Sequence, residues 1–215
     1  MSTVDELVAK CKKERNEQLG ATLVQRLKNR GFDAWYCATK DEALQQALAL
    51  IPKDHTVSWG GSVTIGEIGL QQYCREHYKV IDRDTAKTPE ERVELMRQAL
   101  LCDTFLTSAN AMTADGELVY PDKGYVPNKT DITHFNKKVQ IVEAESGMLA
   151  NLLPDVTAAV INGKRFPGGA TPCQKTGVCF DCNMADTMCN YILTIRRSKP
   201  IGKIKVILVG EEVGF

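Results

Sequence analysis

The feature that most constrains the fold is a regular alternation of short apolar segments with amphipathic helical patterns over the first 110 residues. The apolar segments are rich in aromatic and β-branched residues and cover residues 32–37, 55–59, 78–81 and 104–107. Between them, apolar residues recur three or four positions apart, which is typical of helices. Because parallel strands need a helical crossover, this alternation predicts an α/β fold, a mostly parallel sheet with helices on both faces.

Helix starts and later strands can also be located. The first 30 residues have a helical pattern that ends at Gly31. Thr39 with Glu42, and Thr64 with Glu67, have the spacing of capping boxes. Further strands are predicted near residues 117–120, 139–142, 190–195 and 204–209, and the Asp-Gly turn at residues 115–116 favours some antiparallel additions.

Composition excludes several classes of protein. The chain has 215 residues, 27 basic and 27 acidic side chains, and no basic excess for binding nucleic acid. Its hydrophobic fraction of 43% is too high for a disordered chain. No apolar run approaches the roughly 18 residues of a membrane span, and the first residues are charged throughout, unlike a signal peptide. We therefore expect a cytoplasmic protein that contacts neither nucleic acid nor membrane.

Eight cysteines fall into two groups. Four are scattered and are expected to be buried small apolar residues: Cys11, Cys37, Cys74 and Cys102. The other four have the spacing C-x5-C-x2-C-x6-C and are Cys173, Cys179, Cys182 and Cys189. Four thiolates suit a tetrahedral metal, but this spacing matches neither a ferredoxin nor a zinc finger. Structural Zn²⁺, an Fe–S cluster, and free or transiently disulfide-bonded thiols all remain open.

A glycine turn between a strand and a helix is the first candidate ligand site. In VSWGGSVTIGEIGL, residues 57–70, Gly60 and Gly61 allow a ligand to approach the backbone closely. Ser62 and Thr64 add hydroxyl groups at a helix start, where free N–H groups favour an anion. The pattern is neither a Walker loop nor GxGxxG. An ordinary strand–helix turn with a Ser or Thr cap explains the same residues.

Polar residues after the strand at 104–107 form the second candidate site. In parallel sheets, ligands bind beyond the carboxyl ends of strands. Asn110 and Asp115, in FLTSANAMTADGEL, are therefore candidate ligand contacts. A plain hairpin with Asp-Gly at its turn is the alternative.

The chain contains the segments GGSVTIGEIGL, TFLTSANAMTADGEL, TPCQKTGVCFDC, CNYILTIRRS and IKVILVGEEVGF. Together these segments resemble the lactate-utilisation (LUD) domain family, particularly its short single-domain members. The resemblance covers residues 1–120 and 168–215. It implies a fold like that of ribose-phosphate isomerases and CoA transferases, with residues 108–115 facing the glycine turn across one cleft. Residues 121–167 depart from the family pattern, since they lack its glycine-rich Asn-Arg stretch although Lys137-Lys138 matches.

These observations predict one domain, in which residues 1–167 form the α/β part and residues 168–215 add the cysteine loop and the terminal strands. The resemblance implies a part in the use of lactate or a related small organic acid, as an accessory or ligand-binding subunit that takes a small anionic ligand. It also implies Fe–S partner proteins, while self-association is left open. No flavin or nicotinamide motif is present in the sequence.

Two alternatives remain. The first, suggested by the fold that the resemblance implies, is a small enzyme for a phosphorylated sugar or CoA ester, which needs a carboxylate as nucleophile or base, with Glu67, Asp115 and Glu117 as candidates. The second is a metal or redox module that acts through the cysteine cluster.

Overall fold

A computed structural model describes residues 3–109, 111–122, 139–143 and 191–214. The helices are α1 (Thr3–Asn29), α2 (Lys40–Leu50), α3 (Val63–Glu67), α4 (Leu70–His77) and α5 (Pro89–Ala99), with a 3₁₀ turn at Arg83–Thr85. The strands are β1 (Asp33–Cys37), β2 (Thr56–Trp59), β3 (Lys79–Ile81), β4 (Thr104–Ser108), β5 (Ala111–Met112), β6 (Leu118–Asp122), β7 (Val139–Glu143), β8 (Tyr191–Ile195) and β9 (Lys205–Val209). None of the described helices is both long and apolar enough to cross a membrane.

Six strands form one sheet in the order β1-β9-β7-β4-β2-β3, and every neighbouring pair is parallel. The other described strands form a three-stranded antiparallel sheet in the order β5-β6-β8. The predicted α/β fold with a mostly parallel sheet is therefore confirmed, and the antiparallel additions lie in the small sheet.

The large sheet separates two apolar cores. In β9, Ile207 and Val209 join one core, while Val206 and Leu208 join the other, because successive strand residues point to opposite faces. Helices α2, α3 and α4 cover the first core. Helix α1 and the small sheet cover the second. Helices thus lie on both faces, as the sequence predicts.

The helix after the glycine turn differs from its prediction. The sequence suggests one helix, but Gly69 adopts a left-handed conformation (φ 77°) that separates α3 from α4. The predicted capping box of Thr64 and Glu67 is wrong, because the cap of α3 is Ser62. The box of Thr39 with Glu42 does form at α2, where the Thr39 side chain accepts from the Glu42 N–H.

The strand order places a switch point between β2 and β4. From β2 the chain runs through α3 and α4 on the first face to β3. After β4 it moves to the second face, where Ala109 and Met112 are buried. A crevice opens where two neighbouring strands send the chain to opposite faces, and ligands of open α/β sheets bind there.

Candidate functional site

The β2–β4 site, as we call it, lies at this switch point and consists of Gly60, Gly61, Ser62, Arg83 and Ser108. The first three follow β2, and Ser108 ends β4. The Ser62 and Ser108 hydroxyl oxygens lie 2.9 Å apart, within hydrogen-bond distance. The Gly60 N–H donates to the Leu106 carbonyl at 2.9 Å and fixes the turn against β4. Two of the sequence-predicted segments, the glycine turn and the end of β4, therefore meet.

Ser62 both caps α3 and faces Ser108, whereas Thr64 is buried. The Ser62 hydroxyl accepts from the Ile65 N–H at 3.2 Å and so caps α3. With five residues, α3 is too short for a helix dipole to dominate an anion site. Thr64 is only 1% exposed, so it contributes to packing and is not accessible to a ligand in this conformation.

Arg83 is the site residue that sequence reasoning missed. It follows β3, the neighbour of β2, and its Nη2 lies 3.0 Å from where a Cβ on Gly61 would be. Its Nε is buried and finds no hydrogen-bond acceptor among the described residues. Asp84 Oδ1 lies 3.9 Å from that Nε, which is beyond hydrogen-bond distance. A guanidinium with an unmet donor therefore faces the glycine turn.

The acidic residues beside Arg83 are more closely paired with other arginines. Asp82 is 5% exposed, and its Oδ2 accepts from the Arg75 Nε at 2.8 Å. Asp84 Oδ1 accepts from the Arg92 Nη1 at 3.0 Å. The Arg92 Nη1 also lies 3.2 Å from the Arg83 carbonyl and donates to it. This arrangement fixes the Arg83 backbone and leaves the Arg83 charge in a loose ion pair, because Asp84 Oδ1 lies 3.9 Å from the Arg83 Nε and closer to Arg92.

The two glycines contribute differently. A Cβ on Gly60 would meet Thr107 Oγ1 at 3.4 Å and the Phe105 ring at 3.6 Å, which are ordinary contacts. On Gly61, by contrast, a Cβ would press on the Arg83 guanidinium. The absent side chain at Gly61 thus makes room for that charge.

The structure does not bring Asp115 into the β2–β4 site. Its Oδ1 lies 3.7 Å from the Arg26 Nη1, and its carbonyl accepts from the Arg30 Nε at 2.6 Å. Arg30 lies just before β1, on the side of the parallel sheet where its strands begin, which we call the amino edge. Ser62 follows β2, on the side where the strands end, which we call the carboxyl edge. Asp115 therefore lies at the opposite edge from Ser62. The turn at Asp115 and Gly116 joins β5 to β6, which is the hairpin alternative. Asn110 lies outside the described residues.

The three carboxylates considered as nucleophiles all have other partners. Glu67 Oε2 accepts from the Gly214 N–H at 2.6 Å. Glu117 Oε1 lies 3.2 Å from the Arg30 Nη1 and 2.9 Å from the Arg196 Nε. Asp115 is paired with Arg26 as described. Each of these carboxylates is held by a structural partner, so the structure gives no support to a carboxylate nucleophile drawn from them.

The scattered cysteines follow the prediction at three positions of four. Cys37, Cys74 and Cys102 are buried, but Cys11 is exposed, so the prediction is wrong there. Burial raises the pKa of the Cys37 and Cys74 thiols to about 11, with the Glu42 charge adding to the shift at Cys37. Since the thiolate is the nucleophile, both thiols are held in their unreactive form at neutral pH.

The clustered cysteines, Cys173, Cys179, Cys182 and Cys189, lie outside the described residues. Within the described parts of the chain, no group of three or more His, Cys, Asp or Glu side chains could hold a metal ion. Binding of Zn²⁺ or an Fe–S cluster by the four thiols stays a prediction.

Comparison with known proteins now identifies the family. The family model of the LUD domain matches residues 21–209, which is most of the chain. A crystal structure of a DUF162 family protein from Deinococcus radiodurans is similar, with a TM-score of 0.47 and 11% identity, over 90% of this chain and 98% of that chain. No curated protein matches the chain. The resemblance seen in the sequence motifs is confirmed: the chain belongs to the LUD domain family.

Proposed function

We propose that this protein binds a small carboxylate anion, of the lactate type, between the carboxyl ends of β2 and β4. Membership of the LUD domain family suggests a part in lactate utilisation in the broad sense. The specific role proposed is that of a ligand-binding subunit, which holds the organic acid while a partner accepts electrons. Oxidation of a hydroxy acid needs an electron acceptor, and an Fe–S partner protein is the class we propose.

One observation carries the proposal: the buried Nε of Arg83 has no acceptor among the described residues, while its Nη2 reaches the Gly61 turn. The Arg83 side chain as a whole is 23% exposed, but an unmet donor atom that is buried is unfavourable, by about 1–3 kcal/mol. A carboxylate relieves that penalty well, since its two oxygens match the planar fork of a guanidinium. The glycine turn gives such a ligand room beside the charge.

The paired hydroxyls favour a hydroxy acid over a plain one. Ser62 and Ser108 each carry one donor and two acceptor lone pairs, and they satisfy each other only in part. A 2-hydroxyl group next to the bound carboxylate can donate to one serine and accept from the other. A monoanion also matches the single arginine, whereas a phosphate dianion would leave negative charge in excess.

Calorimetric titration with L-lactate tests this proposal. Arg83→Gln removes the charge, and we expect it to weaken lactate binding roughly 10- to 150-fold, the equivalent of about 1.5–3 kcal/mol for hydrogen bonds to a charged group. Ser108→Ala should weaken binding less, by roughly 2- to 10-fold. The matched control is Arg97→Gln, because Arg97 is 72% exposed and pairs with the nearby Glu94 within α5. This control should bind lactate as the unchanged protein does.

Acetate and inorganic phosphate, titrated in parallel, distinguish the ligand classes. Weaker binding of acetate than of lactate is expected, because acetate lacks the 2-hydroxyl group. Tighter binding of phosphate than of lactate would favour a phosphorylated ligand and overturn the proposed class. Lactate binding that survives Arg83→Gln, or no measurable binding of either carboxylate, would overturn the site itself.

A further inference from the structure

One carboxylate oxygen, Asp84 Oδ1, lies between two arginines beside the β2–β4 site. It is 3.0 Å from the Arg92 Nη1 and 3.9 Å from the Arg83 Nε. Only the shorter distance is that of a hydrogen bond, and this bond holds the Asp84 side chain against α5. The Asp84 carboxylate is thus about 1 Å short of hydrogen-bond contact with the arginine that we propose as the ligand-binding group.

The Arg83 Nε belongs to the donor pair that a ligand carboxylate needs. In a guanidinium, Nε and Nη2 direct their N–H groups the same way and so form a two-donor fork. In Arg83, Nη2 faces the Gly61 turn, and Nε is buried with no acceptor among the described residues. If the Asp84 carboxylate moved onto Nε, it would take one donor of this fork and neutralise the Arg83 charge. Asp84 is therefore placed to compete with a bound organic acid.

Arg92 restrains the competing carboxylate. Its Nη1 donates to Asp84 Oδ1 and, at 3.2 Å, to the Arg83 carbonyl. The Asp84 backbone is fixed separately, because the Asp82 side chain accepts from the Asp84 N–H at 2.9 Å. The Asp84 side chain is 46% exposed and has room to rotate. In the described part of the chain, its other ion-pair partner is Arg83, so loss of Arg92 would leave Asp84 to pair with Arg83.

We propose that Arg92 is a positioning residue of the β2–β4 site, which keeps Asp84 from occupying the Arg83 fork in place of the ligand. This inference rests on the proposed function. Arg92 does not touch the ligand and acts only through Asp84. Its removal should therefore weaken lactate binding, and removal of the Asp84 charge should reverse that loss.

A double-mutant cycle measured by calorimetric titration with L-lactate tests the proposal. Arg92→Met should weaken binding by roughly 3- to 10-fold, because the ligand must first displace a partly exposed ion pair. Asp84→Asn added to Arg92→Met should restore the affinity to within about twofold of the unchanged protein. Asp84→Asn alone should tighten binding by less than about twofold, because Arg92 already holds this carboxylate away from Arg83.

The matched control is Arg97→Met on the same helix. Arg97 is 72% exposed and lies 3.6 Å from the Glu94 carboxylate, so the control removes one positive charge and one ion pair from α5. Lactate affinity should stay within about twofold of that of the unchanged protein, since exposed charges away from the site are screened by salt.

Proton–nitrogen NMR of the arginine Nε–Hε groups tests the capture of Arg83 without any ligand. The Arg83 signal is assigned by its loss in Arg83→Gln. In Arg92→Met, the Arg83 Hε should move downfield as it enters a hydrogen bond with the Asp84 carboxylate. It should return in the double variant, and it should not move in Arg97→Met.

The outcomes separate this inference from the proposed function. A loss of affinity that Asp84→Asn does not reverse would overturn the inference, because Arg92 would then act through the Arg83 carbonyl. Equal effects of Asp84→Asn with and without Arg92 would also overturn it, since they would reflect net charge alone. An Arg83 signal that stays in place in Arg92→Met would overturn it whether or not lactate binds. Absence of lactate binding to the unchanged protein would instead overturn the proposed function, and the NMR comparison would still decide whether Asp84 captures Arg83.

Discussion

The amino edge of the large sheet, where its strands begin, and the carboxyl edge, where they end, both hold arginines beside tight turns. The contacts of these arginines differ. At the amino edge, Arg30 donates to the carbonyls of Asp115 and Arg196 and pairs with Glu117. Arg196 pairs with the same glutamate at 2.9 Å. At the carboxyl edge, Arg83 faces the Gly61 turn with its Nε unmet by any described residue.

This difference separates a structural arginine from a candidate binding arginine. The side chains of Arg30 and Glu117 are 19% and 20% exposed, so their charges are largely desolvated and closely matched. The amino-edge contacts tie α1 to the β5–β6 turn and to the residue after β8. Among the described residues, the Arg83 side chain ties no comparable set of elements together. We therefore expect stability to depend on Arg30 and ligand affinity to depend on Arg83.

The largest expected effect comes from Arg30→Met, which keeps much of the volume and removes the donors. It should lower the free energy of unfolding by about 2–3 kcal/mol, because Glu117 and two carbonyls lose a partner. For a chain of this size, that corresponds to a melting temperature lower by roughly 5–10 °C. Thermal and urea unfolding measure it, with Arg97→Met as an exposed control that should change stability by less than about 0.5 kcal/mol.

Lactate affinity in the Arg30→Met protein tests whether the two arginines act independently. We expect it to stay within about twofold of the unchanged protein, since Arg30 lies at the other edge of the sheet. If affinity falls in step with stability, the two edges are coupled and the distinction between the arginines is lost.

The sequence predicts the fold well because the relevant signals are local. Alternation of apolar strands with helices locates β1 to β4 and the helical segments between them, although α3 and α4 are predicted as one helix. Helix caps are less secure, since Ser62 and Thr64 both offer a hydroxyl near the start of α3. The Ser62 hydroxyl accepts from the Ile65 N–H, and Thr64 is already the second residue of the helix.

The site is predicted only in part because it depends on which strands are neighbours. Gly61 and Ser62 stand out in the sequence, but Arg83 lies in an ordinary polar segment, Asp82-Arg83-Asp84. Its approach to Gly61 follows from the pairing of β3 with β2. Asp115 is the converse case, because it is near Ser108 in the sequence but not in the fold. The chain after β4 crosses the second face and returns to the amino edge, so nearness to Ser108 in sequence is misleading.

A smaller effect is expected from Gly61→Val, which probes the carboxyl edge without removing a charge. The new side chain would push the Arg83 guanidinium away from the turn, since even a Cβ lies 3.0 Å from Nη2. Lactate binding should weaken roughly tenfold, equivalent to about 1.4 kcal/mol, while the melting temperature changes little. Gly66→Ala is the control, because there a Cβ meets only the flexible end of Gln71 at 3.2 Å. A Gly61→Val protein that loses stability but keeps its lactate affinity would make the turn structural.

The smallest effect on either edge is expected from the clustered cysteines. Replacement of Cys179 and Cys182 together by serine should abolish metal uptake if the central pair is essential, as measured by elemental analysis of anaerobically purified protein. The described cores bury their own apolar strands on both faces of the sheet. The amino-edge ion pairs and the β2–β4 site should therefore persist. Melting temperature and lactate affinity should both stay close to those of the unchanged protein. If metal loss instead weakens lactate binding as strongly as Arg83→Gln does, then the cysteine cluster is part of the ligand site and the carboxyl edge does not act alone.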